Sequence, residues 1–250
     1  MLIKKISIIT SLFILSTTCY SGNETINSFS KSKKLLKKIY AEHQITFYSS
    51  CKYNYKNKNN MIDRKSCGYS PRNEYTKSGK KNIRARRIEW EHIIPAENFG
   101  RQFTCWREGD EACVKTSGKH YKGRRCCSKV NKKFKRMEAD LHNLVPAIGE
   151  LNADRSNFRY GILEGEKRNY GVNIDFEVDK KLRVTEPKES IRGDIARVYF
   201  YFEKEYGMKI SKKDKKIFEV WNNLDPVDEW EKIKNEKVFK IQGNRNEFIK

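Results

Sequence analysis

Acidic residues are scarce in this 250-residue chain: 32 Asp and Glu stand against 53 Lys and Arg, a formal net charge of +21. The basic excess is spread from Lys31 to Lys250 instead of forming one tail, which suits a polyanionic partner. No long stretch opposes a basic face to an apolar one, so nucleic acid is a better partner than an anionic membrane surface. A lysine and asparagine bias of the source accounts for part of the charge. A membrane span is missing too, because the apolar run from Ile6 to Leu15 is too short for one. There is no internal repeat, and no low-complexity segment beyond the lysine bias. Two Cys-x-x-Cys pairs, the usual mark of a zinc site, are also absent. With 37% hydrophobic residues, what remains suits one domain around a single core.

Lys4 and Lys5 precede the apolar run and small polar residues follow it, the pattern of a secretory signal peptide over residues 1–21, cut after Ser21. Ser16-Thr17-Thr18 is a poor match to the residues that precede a lipoprotein cysteine, which argues against that role for Cys19. The expected mature domain, 22–250, keeps Cys51, Cys67, Cys105, Cys113, Cys126 and Cys127. An even count behind an export signal reads as disulfides. Cys51 and Cys67 would close a small loop. Adjacent Cys126 and Cys127 are poor partners for each other, so they should take Cys105 and Cys113 in one of two arrangements.

The chain is organised around Arg87-Ile88-Glu89-Trp90-Glu91-His92-Ile93-Ile94-Pro95. Its alternation predicts a strand with Ile88, Trp90, His92 and Ile94 on one face and Glu89, Glu91 and Ile93 on the other. Pro95 removes a ladder donor and should end it. Adjacent strand residues point opposite ways, so Glu91 and His92 share a site only if the strand ends or bulges beside them. Around this run the patterns predict a helix over 27–43 capped by Ser28 or Ser30. Strands follow at 46–48 and 51–53, tied to Cys67-Gly68-Tyr69 across a turn at 56–60. A helix over 132–140, a second hairpin strand over 142–146 and a helix over 149–158 come next. Then follow a strand over 172–178, helices over 191–206 and 217–224, and closing turn residues over 240–246.

Two strands bearing Glu91-His92 and His142-Asn143, and a helix bearing Asn152, place an imidazole near hard oxygen donors. Phosphodiester hydrolysis needs such a set: a base for water, a cation against developing charge and a basic side chain beside it. His92 serves as base near neutral pH, and oxygens suit Mg²⁺ or Ca²⁺. The competing readings are structural: a buried His92, a Glu91 paired with Arg86 or Arg87, an Asn152 that only caps or turns. His142 reads as structural, and Glu138 and Asp140 as residues that fix arginines.

At Arg87-Ile-Glu-Trp-Glu-His-Ile-Ile-Pro-Ala, Met137-Glu-Ala-Asp-Leu-His-Asn-Leu-Val-Pro-Ala-Ile-Gly-Glu-Leu-Asn-Ala-Asp-Arg-Ser-Asn-Phe, Arg192-Gly-Asp-Ile-Ala-Arg and Gln242-Gly-Asn-Arg-Asn the sequence resembles the endonuclease I family of periplasmic and secreted non-specific nucleases. The resemblance implies an α+β fold with a central ββα-metal motif (His-Me finger), surrounded by helices and stapled by disulfides. It implies His92 as general base, with Glu91 and Asn152 on one Mg²⁺, Ca²⁺ or Mn²⁺ being alternatives. The family's transition-state arginine is best matched by Arg124 in Gly123-Arg124-Arg125-Cys126, although an ungapped alignment puts Glu111 there. Arg84, Arg87, Arg125 and Arg155 are the candidate phosphate contacts. The expected activity is sequence-independent cleavage of DNA and RNA to 5′-phosphate products by an exported monomer. The rival from another class is a secreted basic protein that binds DNA without cutting it.

Overall fold

The computed structural model describes residues 22–55, 61–165 and 167–250. The expected signal peptide and the turn at 56–60 lie outside the described residues. The first helix, α1 (Phe29–Ile39), starts where the Ser28 hydroxyl accepts the Lys31 amide, and it buries Leu36 and Ile39 one turn apart. The strand expected at 46–48 is instead a turn, closed when Thr46 Oγ1 accepts the Cys51 amide at 2.8 Å. A small β1 (Tyr53–Asn54) pairs antiparallel with β2 (Met61–Ile62), and Cys51–Cys67 staples this corner.

The central strand, β3 (Ile88–His92), runs antiparallel to β4 (Leu144–Ile148), with Trp90 opposite Pro146 and His92 opposite Leu144. Between them come α2 (Ala96–Gly100), α3 (Thr104–Arg107), α4 (Arg124–Val130) and α5 (Lys132–Glu138). Of the two disulfide arrangements, the structure has Cys105–Cys127 and Cys113–Cys126. The second strand begins two residues later than expected, because Leu141–Asn143 form a 3₁₀ turn capped by Asp140. Helix α6 (Gly149–Arg155) leaves β4 directly, so β3, β4 and α6 make the expected β-β-α unit. Gly149 is required at this junction: a Cβ there would lie 2.9 Å from the Arg84 carbonyl and 3.0 Å from the Glu89 carboxyl.

Beyond it, β5 (Arg159–Tyr160), β6 (Phe176–Asp179) and β7 (Val184–Pro187) form a sheet of order β5-β7-β6. The strand expected over 172–178 is shorter because Gly171–Ile174 turns, the Ile174 amide donating to the Gly171 carbonyl. Helices α7 (Arg192–Tyr206), α8 (Lys212–Leu224) and α9 (Glu229–Gln242) complete the chain. The last was not expected, and it replaces much of the closing turn, which begins at Gly243. Tyr199, Tyr201 and Phe202 of α7 are buried in one cluster that reaches from Ile26 to Val238, and Phe200 packs against it half-buried. The fold is α+β, and among the described residues no helix is long and apolar enough to cross a membrane.

The Cys51–Cys67 bond spans 16 residues. Replacing both cysteines by alanine is expected to lower stability by about 3 kcal/mol through a freer unfolded chain. Urea unfolding measures it, and an unchanged midpoint would show that the corner holds itself.

Candidate active site

The end of β3 departs from strand geometry in a way that brings adjacent side chains into one place. Ile93 donates its amide to the Asn143 carbonyl at 3.0 Å, and Ile94 donates to Asn143 Oδ1 at 2.7 Å. Asn143 Nδ2 returns a bond to the Ile94 carbonyl at 3.1 Å. On the carbonyl side, Arg155 reaches the His92 oxygen at 3.0 Å and also the Ile93 oxygen. A regular strand sends successive carbonyls to opposite edges; here two consecutive ones meet a single guanidinium, so the chain has turned. Pro95 follows and α2 starts at Ala96, as the proline predicted.

His92 is buried, and its Nε2 lies 2.8 Å from the backbone carbonyl of Glu138. A carbonyl only accepts, so Nε2 carries the proton and Nδ1 keeps its lone pair. The ring rests against Phe29 with centroids 4.8 Å apart. Burial, reinforced by the nearby Arg124 charge, pushes the imidazole down to about 3. It is therefore neutral near pH 7.

Glu91 is buried on the other side of the bend. Its Oε1 takes Arg155 Nη1 at 3.1 Å and the Tyr48 hydroxyl at 3.4 Å, and its Oε2 takes the His92 amide at 3.1 Å. Burial pushes this carboxyl up to about 7 against the opposing pull of Arg155. Tyr48 and Tyr160 share a 2.6 Å hydroxyl contact behind it.

Arg124 begins α4 and donates Nε to Glu138 Oε1 at 2.6 Å, while Ser128 holds the other carboxylate oxygen at 3.0 Å. Its guanidinium lies 5.6 Å from the Phe29 ring centre and remains 46% exposed. One residue, Glu138, thus orients His92 through its carbonyl and Arg124 through its side chain. The disulfides at Cys126 and Cys127 pin the same helix.

An imidazole with a free lone pair and a buried carboxylate on a β-β-α unit now stand with a tethered arginine from α4, and the family model described as Endonuclease I matches residues 26–250. The chain belongs to the endonuclease I family. It is 40% identical over 239 residues to an extracellular deoxyribonuclease of Aeromonas hydrophila, covering 94% of this chain and 93% of that one. Endonuclease-1 of Buchnera aphidicola subsp. Acyrthosiphon pisum (strain APS) is 40% identical over 230 residues, 92% of this chain and 83% of its own. A periplasmic deoxyribonuclease of Aeromonas hydrophila is 40% identical over 241 residues, with 95% and 91% covered. The protein is a nuclease enzyme of the periplasm or the cell exterior, and the oxidised cysteines agree with that location.

Within this endonuclease I chain the other candidate residues sit as follows. Asn152 donates Nδ2 to Glu89 Oε2 at 3.1 Å, so it meets Glu89 instead of Glu91. Arg84 holds Glu89 with two bonds, at 2.9 and 2.5 Å, and Arg87 lies 3.6 Å from it. Arg86 pairs with Glu74, so neither it nor Arg87 takes Glu91. Arg125 stacks over Tyr121 at 4.8 Å and is exposed. Arg155 is a correction: at 1% exposure, with Nη1 and Nη2 bonded to Glu91 and two carbonyls, it is sealed from a phosphate. Asp140 is another, since it accepts from Tyr201, Tyr206, Gln242 and the His142 amide and holds no arginine. His142 is buried, bonded to the Asn244 carbonyl and packed on Tyr201. Tyr48, Phe29, Glu89 and the Asn143 clamp were missed, and only Glu89 carried a signal, its shared strand face with Glu91.

The family suggests a divalent metal, and Glu91 and Asn152 are oxygen donors of the kind such an ion takes. Glu91 is a buried anion that its one guanidinium does not fully compensate. With its nitrogen anchored on Glu89, Asn152 keeps an Oδ1 that accepts no hydrogen bond among the described residues and can offer a lone pair to a cation. No group of three or more His, Cys, Asp or Glu is arranged for a metal among them, so an ion held by these two oxygens would complete its shell from water and phosphate.

Arg155→Met is expected to destabilise the fold by about 3–5 kcal/mol, because it strands Glu91 without a partner. Chemical denaturation reads it, and a loss under about 1 kcal/mol would contradict the clamp.

Proposed function

We propose that this protein is an exported, divalent-metal-dependent, sequence-independent endonuclease that cuts DNA and RNA to 5′-phosphate products. The observation that carries the reading is His92: a neutral imidazole with Nε2 committed to the Glu138 carbonyl and Nδ1 left as the basic atom. Nδ1 takes a proton from the attacking water while the water oxygen bonds to phosphorus. The opposite P–O3′ bond breaks in line, and the departing oxygen collects a proton from solvent. Phosphate stays on the 5′ side. Arg124, tethered by Glu138 yet half exposed, lies beside His92 to meet charge on the non-bridging oxygens. Mg²⁺ is the preferred ion, with Ca²⁺ and Mn²⁺ as alternatives; held by Glu91 and Asn152, it supplies charge compensation at phosphorus and the leaving oxygen.

RNA belongs in the substrate range because the nucleophile is water and no step uses or avoids a 2′ hydroxyl. Sequence independence follows from contacts limited to phosphates. Arg84, Arg87 and Arg125 are the candidates for these contacts. The signal peptide at 1–21 and a single mature domain over 22–250, acting as a monomer, complete the reading.

The deciding experiment is cleavage of supercoiled plasmid and of single-stranded RNA by the oxidised mature protein with Mg²⁺, beside a chelator control and a folded His92→Ala variant. His92→Ala is expected to lower kcat by roughly 10²–10⁴-fold, the usual contribution of a general base, and chelation is expected to stop cleavage. A plasmid that is retarded but uncut in every lane would make the protein a DNA binder and remove the mechanism. Arg124→Ala is expected to lower kcat by about 10²–10³-fold with little change in KM. An effect confined to KM would reassign Arg124 to substrate binding.

A further inference from the structure

Gly22 to Thr25, which the expected cut would leave as the first residues, are bonded into the protein more tightly than chain ends usually are. Gly22 is buried, and its nitrogen lies 2.8 Å from Glu205 Oε2. Only glycine fits there, because a Cβ would lie 2.3 Å from the Tyr206 ring. The Asn23 amide donates to the Tyr206 hydroxyl at 2.6 Å, Asn23 Nδ2 to the Arg136 carbonyl at 2.9 Å, and Thr25 Oγ1 to the Gln242 carbonyl at 3.0 Å.

Glu205 is short of positive charge. Burial pushes its carboxyl above the usual range, the Gly22 nitrogen and Lys204 oppose that, and Glu247 and Asp140 add to it. Lys204, its neighbour in α7, is engaged with Glu247. An uncharged peptide N–H is a weak answer to this carboxylate. A terminal ammonium at the same position would be an ion pair at hydrogen-bond distance. The sequence places a signal-peptide cut at this point, with the small residues Cys19 and Ser21 three and one positions before it.

We propose that Glu205 is the receiving site for the α-ammonium of Gly22, created when the export signal is cut between Ser21 and Gly22. Processing then turns a neutral hydrogen bond into an ion pair, which the precursor cannot make. Its reach is toward the base: Tyr206 passes the Asn23 bond to Asp140 Oδ2 at 2.6 Å, and Asp140 caps the Leu141–Asn143 turn. Arg136, held by Asn23, lies two residues before Glu138, whose carbonyl holds His92.

The test uses exported protein whose intact mass reports its first residue, and the same chain with one extra alanine before Gly22, each with Glu205 and with Glu205→Gln. The extension is expected to lower the Tm by about 2–4 °C when Glu205 is present and to make no difference in the Glu205→Gln pair, the mark of a direct coupling. Equal melting with Glu205 present, an equal drop in both backgrounds, or an exported chain that starts elsewhere overturns the proposal. A second readout needs no variant: acetylation of the Gly22 amine near neutral pH, followed by peptide mass, is expected to be about tenfold slower in the folded protein than in urea. Equal rates would overturn the proposal on their own.

Discussion

The buried guanidinium of Arg155 is the constraint on which the site depends. A charge this deep is tolerated only with good partners, and Arg155 has three acceptors: the Glu91 carboxylate and the carbonyls of His92 and Ile93. Its plane also lies 4.6 Å from the Tyr160 ring centre. Satisfying it forces two successive carbonyls to the same side, and that breaks the alternation of β3 where Glu91 and His92 adjoin. Asn143 completes the bend from the amide side. The strand therefore ends in a joint held from both edges, and Pro95 keeps it from extending.

On that joint, Glu138 does for the catalytic side what Arg155 does for the backbone. It closes α5, offers its carbonyl to His92 Nε2 and its carboxylate to Arg124. Phe29 packs near both the imidazole and the guanidinium, so the two groups share a ring as well as a residue. Arg124 reaches this position from α4, which two disulfides tie to the segment carrying Cys105 and Cys113. Glu111, the residue an ungapped alignment selects, is exposed and bears the wrong charge to meet a phosphate.

Elements written in local patterns were legible. Ile88 to Pro95 showed both the strand and its end, Ser28 capped α1 as proposed, and the aromatics of α7 entered the core. Signals that act across the fold were not. Thr46 closes a turn through its hydroxyl, which no alternation rule reveals. Helix α9 escaped because Trp230, Ile233, Val238 and Ile241 do not form one stripe; its Asp228 and Glu231 capping box was the cue available. Residue type also says nothing of depth. Arg155 and Asn152 share a helix face, but one is sealed under the strand end and the other is half open. His92, Glu91 and Arg124 are proposals that a motif can suggest, whereas the groups the structure sets against this region, a Glu138 carbonyl and the Asn143 amide, are invisible until the chain has folded.

The 46 residues that separate His92 from Glu138 also set a timetable. A chain that enters its compartment amino end first exposes the imidazole well before the carbonyl that chooses its tautomer, and earlier still than Arg155. Contacts so distant along the chain close slowly, so no fragment that ends before Glu138 contains the acceptor that fixes the imidazole. The orientation of that ring is settled late in folding.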